Sequence, residues 1–407
     1  MSSPSLPSPG GGEVVRGAIG SWLREHRRFL GLSQEDLRRR LERRGIRTTQ
    51  STVSRWEKGE LAPPGDVLPD LAAVLGTTLD DLKERVAVAR CRAGAPIDVT
   101  GRPVRDLREE AEGAAHAGNV PRAVALLEAA RDRIRLEGPV AGNAEELSAV
   151  LLALARGYLA LWHLGRAGLV LRQLAAVDGL PDRVRFQARL LRLVLAEREG
   201  DPETHDLLLQ AIQEELPAVE DRELRCHAQH VVGGSLYVHG QWMAAVPFLE
   251  EAAAGWRSLG RRPEELRARV TLGFCRARAE DPSTGEQELR DALAGARSAG
   301  YRETEARALL LLGRLQALQS REPEGIGLLE DAAVLARRLG LPDLEFVALY
   351  HGWRAAVETH RDEADAFERR LRRVLPAVHP RLPEAVAFRA EADPDGNSRR
   401  RGEEERP

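Results

Sequence analysis

Gln50, Ser51 and Arg55 stand close together in the sequence and offer a carboxamide, a hydroxyl and a guanidinium. On a helix Arg55 lies one turn on from Ser51, so the three share one edge. That set suits base edges in a DNA major groove, where an amide can bond adenine through two hydrogen bonds and a guanidinium can do the same to guanine. Thr49, just before them, is a natural helix N-cap, and Ser33 stands in the same relation to Gln34. A helix start carries free N–H groups and the positive end of the dipole, which favours a phosphate beside Gln34. Two helices must position these groups, one opening in Leu32-Ser33-Gln34-Glu35-Asp36-Leu37 and one in Thr48-Thr49-Gln50-Ser51-Thr52-Val53.

Residues 19–82 resemble the helix-turn-helix domain of the Cro/CI-type (XRE) transcriptional regulators. In that family Leu-Ser-Gln opens the second helix and Ser-Arg-Trp-Glu-x-Gly closes the third, as Leu32-Ser33-Gln34 and Ser54-Arg55-Trp56-Glu57-Lys58-Gly59 do here. The resemblance implies a five-helix, lambda-repressor-like domain over residues 13–92. It implies that Gln34 contacts phosphate, that Gln50, Ser51 and Arg55 read bases, and that Thr49, Thr52 and Lys58 belong to the same DNA-binding surface. It further implies a structural pair of Arg27 with Glu57, and a core in which Val53 and Trp56 meet Trp22, Leu37 and Leu41. One departure is the inserted Glu42-Arg43-Arg44-Gly45-Ile46-Arg47 before Thr48. It reads as a longer second helix ended at Gly45, with arginines that either reach phosphate or solvate the helix end.

The formal charge of −3 over 407 residues is unevenly spread. Residues 13–92 hold 16 Lys and Arg against 12 Asp and Glu, a balance of +4, while residues 93–407 hold 44 against 51, a balance of −7. Positive charge is thus confined to the segment that would meet phosphate. Three scattered cysteines, Cys91, Cys226 and Cys275, argue for a reducing compartment and against a disulfide framework. Residues 1–12 are Ser, Pro and Gly without charge, the composition of a flexible tail instead of a signal peptide. The most apolar long stretch, residues 147–165, is broken by Arg156, so no membrane span is expected and the location is cytoplasmic, with the nucleoid.

Beyond a Gly- and Pro-bearing linker at 93–103, helical periodicity runs through residues 104–390. Gly260, Gly300 and Gly340 are forty apart, as are Ala245, Gly285 and Gly325, then Leu249, Leu289 and Leu329, then Ala252, Ala292 and Ala332. Small residues recur where helices approach and leucines where they fill space. A unit of this length buries its apolar face only against its neighbours, so the chain is expected to be all-α, ending in an α-solenoid of about seven helical hairpins. Loops are expected near Gly118-Asn119, Gly165-Arg166, Gly200-Asp201, Gly240-Gln241, Asp281-Pro282, Glu322-Pro323 and His360-Arg361. Residues 391–407 alternate charge without an apolar face, as a disordered tail would.

Within residues 233–252 the order Gly233, Tyr237, Ala245, Leu249, Ala252 resembles the tetratricopeptide pattern. In that register His227, His230, Tyr237, Arg267, Arg278, Arg307 and Arg314 face a concave groove and suit an anionic effector, either free or paired with nearby glutamates. Joining such repeats to an XRE-type domain resembles the peptide-pheromone receptors. Those commonly use groove asparagines, whereas residues 104–390 contain only Asn119 and Asn143. The nearest metal pattern, Cys226 with His230, has no second pair of ligands, so neither a metal nor another cofactor is expected. Lys58 and Lys83 are the only lysines and neither precedes Ser or Thr, which excludes a Walker-type loop. Carboxylate pairs such as Glu250-Glu251 fit solvated faces, and no catalytic signature is present.

The expected function is a sequence-specific, DNA-binding transcriptional regulator, not an enzyme. Its repeats would form a homodimer and sense a peptide, small-molecule or protein effector. The alternative is a protein-interaction scaffold only loosely tethered to double-stranded DNA, with salt-dependent and unselective binding.

Overall fold

A computed structural model describes residues 20, 23–24, 26–28, 30–58, 60–61, 63–64, 67–77, 82, 102–116, 119–137, 143–357 and 360–392. The expected N-terminal tail, most of the linker, the last helix of the five-helix domain apart from Leu82, Trp22, and residues 393–407 lie outside them. All regular structure among the described residues is helical. The chain divides into two compact units, residues 1–195 and 196–407.

In the first unit, α1 (Gln34–Glu42) opens on a capping box: the Asp36 N–H donates to Ser33 Oγ at 3.0 Å, and the Ser33 N–H donates to Asp36 Oδ2 at 3.0 Å. The helix stops at Glu42, short of Gly45. Gly45 takes φ +87° in the following turn, and the Ile46 N–H closes that turn on Leu41 O at 3.1 Å. Arg44 of the insertion donates to Asp70 of α3 (Leu68–Leu75) at 2.7 Å, which fastens the added turn to the domain. Between them runs α2 (Gln50–Lys58). Leu23, Leu37, Leu41, Val53, Trp56, Val67, Leu71 and Leu75 form one buried core with Leu82.

The helical repeats begin in this unit with α4 (Val104–His116), α5 (Val120–Glu137), α6 (Asn143–Ala160), α7 (Leu164–Ala175) and α8 (Asp182–Glu199), whose C-terminal end enters the second unit. The second unit continues with α9 (Pro202–Glu215), α10 (Arg222–Val238), α11 (Trp242–Ser258), α12 (Arg262–Ala279) and α13 (Pro282–Ala299). It then runs through α14 (Arg302–Leu318), α15 (Glu322–Arg338), α16 (Pro342–Ala356) and α17 (Arg361–Val374) to α18 (Pro383–Ala392). Successive helices pack in pairs within each unit, α4 with α5 and α6 with α7 in the first, then α10 with α11, α12 with α13, α14 with α15 and α16 with α17 in the second, where α18 closes the series.

Gly260, Gly300 and Gly340 adopt φ of +69°, +73° and +68° where one pair gives way to the next. Within a pair the small residues permit backbone contact: a Cβ on Gly285 would come within 2.3 Å of Ala277 N, and one on Gly325 within 2.8 Å of Ala317 N. Two expected loops lie elsewhere. The turn before α7 is made by Leu161, Trp162 (φ +56°) and His163, which leaves Gly165 inside the helix, and the turn before α15 is made by Ser320 (φ +58°). The C-terminal helix also runs to Ala392, two residues into the stretch expected as a tail. Glu391 is held there by the Tyr350 hydroxyl at 3.0 Å and Arg354 at 2.8 Å. Among the described residues no helix is long and apolar enough to cross a membrane.

Candidate functional site

Thr49 caps α2 by accepting the Thr52 N–H at 3.1 Å, and the two threonine hydroxyls meet at 2.9 Å. The helix then divides by face. Val53, Trp56 and Glu57 are buried, whereas Gln50, Ser51, Arg55 and Lys58 are exposed and Thr52 is half-buried. The amide, hydroxyl and guanidinium therefore share a solvent-facing edge. A residue absent from the sequence reading joins them: Glu60 lies 3.6 Å from Arg55 Nε and 3.9 Å from Lys58 Nζ, a carboxylate between two cations.

Glu57 is the anchor behind this edge. Arg27 donates from Nε to its Oε1 at 2.5 Å and from Nη2 to its Oε2 at 3.1 Å, Gln34 donates to Oε2 at 2.8 Å, and Arg24 donates to the Glu57 carbonyl at 2.9 Å. Burial by itself would raise the Glu57 carboxyl. The hydrogen bonds from Arg27 and Gln34 outweigh it and hold the group below its ordinary value. Gln34 thus uses one amide hydrogen within the protein and locks the start of α1 to the end of α2.

A second set of polar groups lines the second unit. His227, Arg267 and Arg307 are forty residues apart and occupy the same position on α10, α12 and α14. His230 lies within electrostatic reach of all three, and enclosure by protein, reinforced by Arg267 and Arg307, drives its pKa down to about 3. Its imidazole is neutral at physiological pH, so the positive charge belongs to the arginines. Arg307 also pairs with Glu303 at 3.1 Å. Arg198 on α8 interacts electrostatically with Arg307 and with Asp343 on α16, two residues that the sequence reading passed over.

Tyr237 and Arg314 meet separately. The guanidinium donates to the phenolic oxygen at 2.8 Å and lies 5.1 Å from the Phe274 ring centroid. Arg278 stacks on Trp242 at 4.4 Å. Cys226 is buried with Ala252, Ala253 and Trp256 instead of converging with His230, and burial pushes its thiol up. Of the two asparagines, Asn119 caps α5 through the Arg122 N–H at 3.2 Å, and the Asn143 side chain lies outside the described residues.

Residues 23–82 match the family described as Helix-turn-helix, and this segment is an XRE-type helix-turn-helix domain. No curated protein matches the sequence. Among solved structures, the chain is similar to a Rap protein complexed with Competence and Sporulation Factor, at 13% identity over 90% of this chain and 99% of that one, with TM-score 0.58. Bacillus thuringiensis PlcR, in complex with the peptide PapR7 and DNA, aligns at 15% identity over 70% of this chain and 96% of its own, with TM-score 0.41. ComR from S. thermophilus, in complex with DNA and its signalling peptide ComS, aligns at 15% over 83% and 99%, with TM-score 0.30. The likeness to the Rap protein establishes a shared helical-repeat fold.

Proposed function

We propose that this chain is a sequence-specific transcription regulator. On this reading Gln50, Ser51 and Arg55 read bases in the major groove, and Thr49, Thr52, Lys58 and Gln34 hold the domain on the phosphate backbone. The observation that carries it is the division of α2, whose buried face is fixed by Val53, Trp56 and Glu57 while its opposite edge presents three base-competent groups to solvent. Regulators of this type act as dimers on half-sites about one helical turn apart, and dimerisation through the helical repeats would set that spacing. The repeats would bind an anionic effector at the column of His227, Arg267 and Arg307. An effector with different affinities for two dimer arrangements shifts operator affinity by that difference.

The test is selection of preferred sites from random duplex DNA by the full-length protein, followed by Arg55→Ala. Arg55→Ala should lose discrimination at one base pair of each half-site, worth roughly 1–3 kcal/mol. An equal fall in binding to selected and random DNA would refute base reading by Arg55.

A further inference from the structure

Glu197, His205 and His239 come from three helix ends of the second unit: the last turn of α8, the first turn of α9 and the residue that caps α10. Their ligand-capable atoms all lie within 4.8 Å of one another. His205 is buried, Glu197 half-buried and His239 exposed, so the cluster has a protein-lined floor and an open side. The two imidazoles face each other, with ring centroids 4.2 Å apart.

Each ring is oriented through its Nδ1. The His205 Nδ1 lies 2.9 Å from Asp206 Oδ1, and the His239 Nδ1 lies 2.9 Å from the Ser235 carbonyl oxygen. Both partners are acceptors, so each Nδ1 carries the hydrogen and each Nε2 presents a lone pair. A carboxylate or a backbone carbonyl behind Nδ1 is the usual arrangement behind metal-bound histidines. The Ser235 hydroxyl lies 2.6 Å from His205 Nε2 and also hydrogen-bonds Glu197. One hydroxyl hydrogen cannot serve an imidazole lone pair and a carboxylate together. One of these two acceptors is therefore left without a donor, and a metal ion bound between them would engage both.

We propose that Glu197, His205 and His239 form a binding site for a first-row divalent metal ion of the zinc class. Two imidazole nitrogens and one carboxylate oxygen are the donors such ions prefer over magnesium or calcium. Ligands about 2.0–2.2 Å from zinc stand roughly 3.5 Å apart, so modest side-chain rotation closes the cluster. The Ser235 hydroxyl then turns wholly to Glu197, and the open side leaves a position for water. Bound metal ties the end of α8, the start of α9 and the end of α10 at one point.

The test titrates chelator-treated, untagged full-length protein with Co2+, read by visible absorption, and then competes the ion with Zn2+. Wild type should bind one equivalent, and Zn2+ should raise its Tm. His239→Ala removes an exposed ligand and should abolish both responses while circular dichroism stays unchanged. Asp206→Asn should weaken binding about 10- to 100-fold, the effect of losing a partner behind a ligand. His230→Ala, outside the cluster, should bind as wild type. Absence of stoichiometric binding by wild type, or wild-type binding by His239→Ala, would overturn the proposal.

Discussion

Glu57 ties the DNA-binding domain together, since α1, α2 and the helical residues around Arg27 all meet at its carboxylate. Its pKa lies below the ordinary 4.5, so the stabilisation is complete above that value and is lost as pH falls through the lowered one. The domain should therefore lose thermal stability in acid below about pH 4.5, and Glu57→Gln should flatten that loss; an unchanged acid profile in the variant would show that the anchor lies elsewhere. Glu60 acts in the opposite sense. On the proposed reading Arg55 exchanges its carboxylate for a base edge and Lys58 for a phosphate, and a negative charge leaves the DNA surface, so Glu60→Gln should tighten binding to any duplex by about two- to five-fold at low salt, the scale of a surface ion pair. A gain confined to one operator base, or no gain, would contradict this. The pairing of Arg27 with Glu57 was legible through the family resemblance. The bond from Gln34 was not, because a surface amide gives no sign in sequence of choosing a protein carboxylate over a phosphate.

At the scale of elements, the forty-residue period places the same ionic joint between successive hairpins. Glu265 lies between Arg257 and Arg262, each at 2.8 Å, and Glu305 between Arg297 at 2.9 Å and Arg302 at 2.8 Å. The next copy, Glu345, has Pro342 at the position that Arg262 and Arg302 hold in the earlier ones, and its Oε1 is buried without a hydrogen bond. Burial raises the Glu345 carboxyl, while the arginine hydrogen bonds overcome burial and lower Glu265 and Glu305. Replacement by glutamine should then have opposite signs. Glu305→Gln should cost about 1–2 kcal/mol near neutral pH, allowing for the solvent around its two exposed arginines. Glu345→Gln should leave Tm unchanged or raise it, most clearly at high pH, where the native residue is ionised. Thermal melts of both variants across pH decide this, and equal losses would remove the distinction. Turns made by Gly200, Gly240, Gly260, Gly300 and Gly340 were legible because a left-handed residue favours glycine. Those at Trp162 and Ser320 were not, since neither residue type advertises a positive φ.

Across the whole molecule, the sequence separates its charges by task, with a basic balance over residues 13–92 and an acidic one beyond. The acidic part nevertheless sets His227, Arg267 and Arg307 in one column, and this was readable from the period. The grouping of Glu197, His205 and His239 was not, because helix ends from separate turns have no fixed spacing. Arg267→Glu combined with Arg307→Glu should remove the effector response of an operator-driven reporter while operator affinity in vitro is kept. A full response in the double variant would exclude this column as the effector site. The repeated junctions bear on how such a protein can change. Copying residues 262–301 in tandem would put the Arg262 turn after Gly300-Tyr301, with Arg297 again beside a glutamate, so each new seam would be chemically the same as an existing one. The length of the helical-repeat region is thus a quantity that whole-unit duplication can alter in a single genetic event, leaving the exposed edge of α2 untouched.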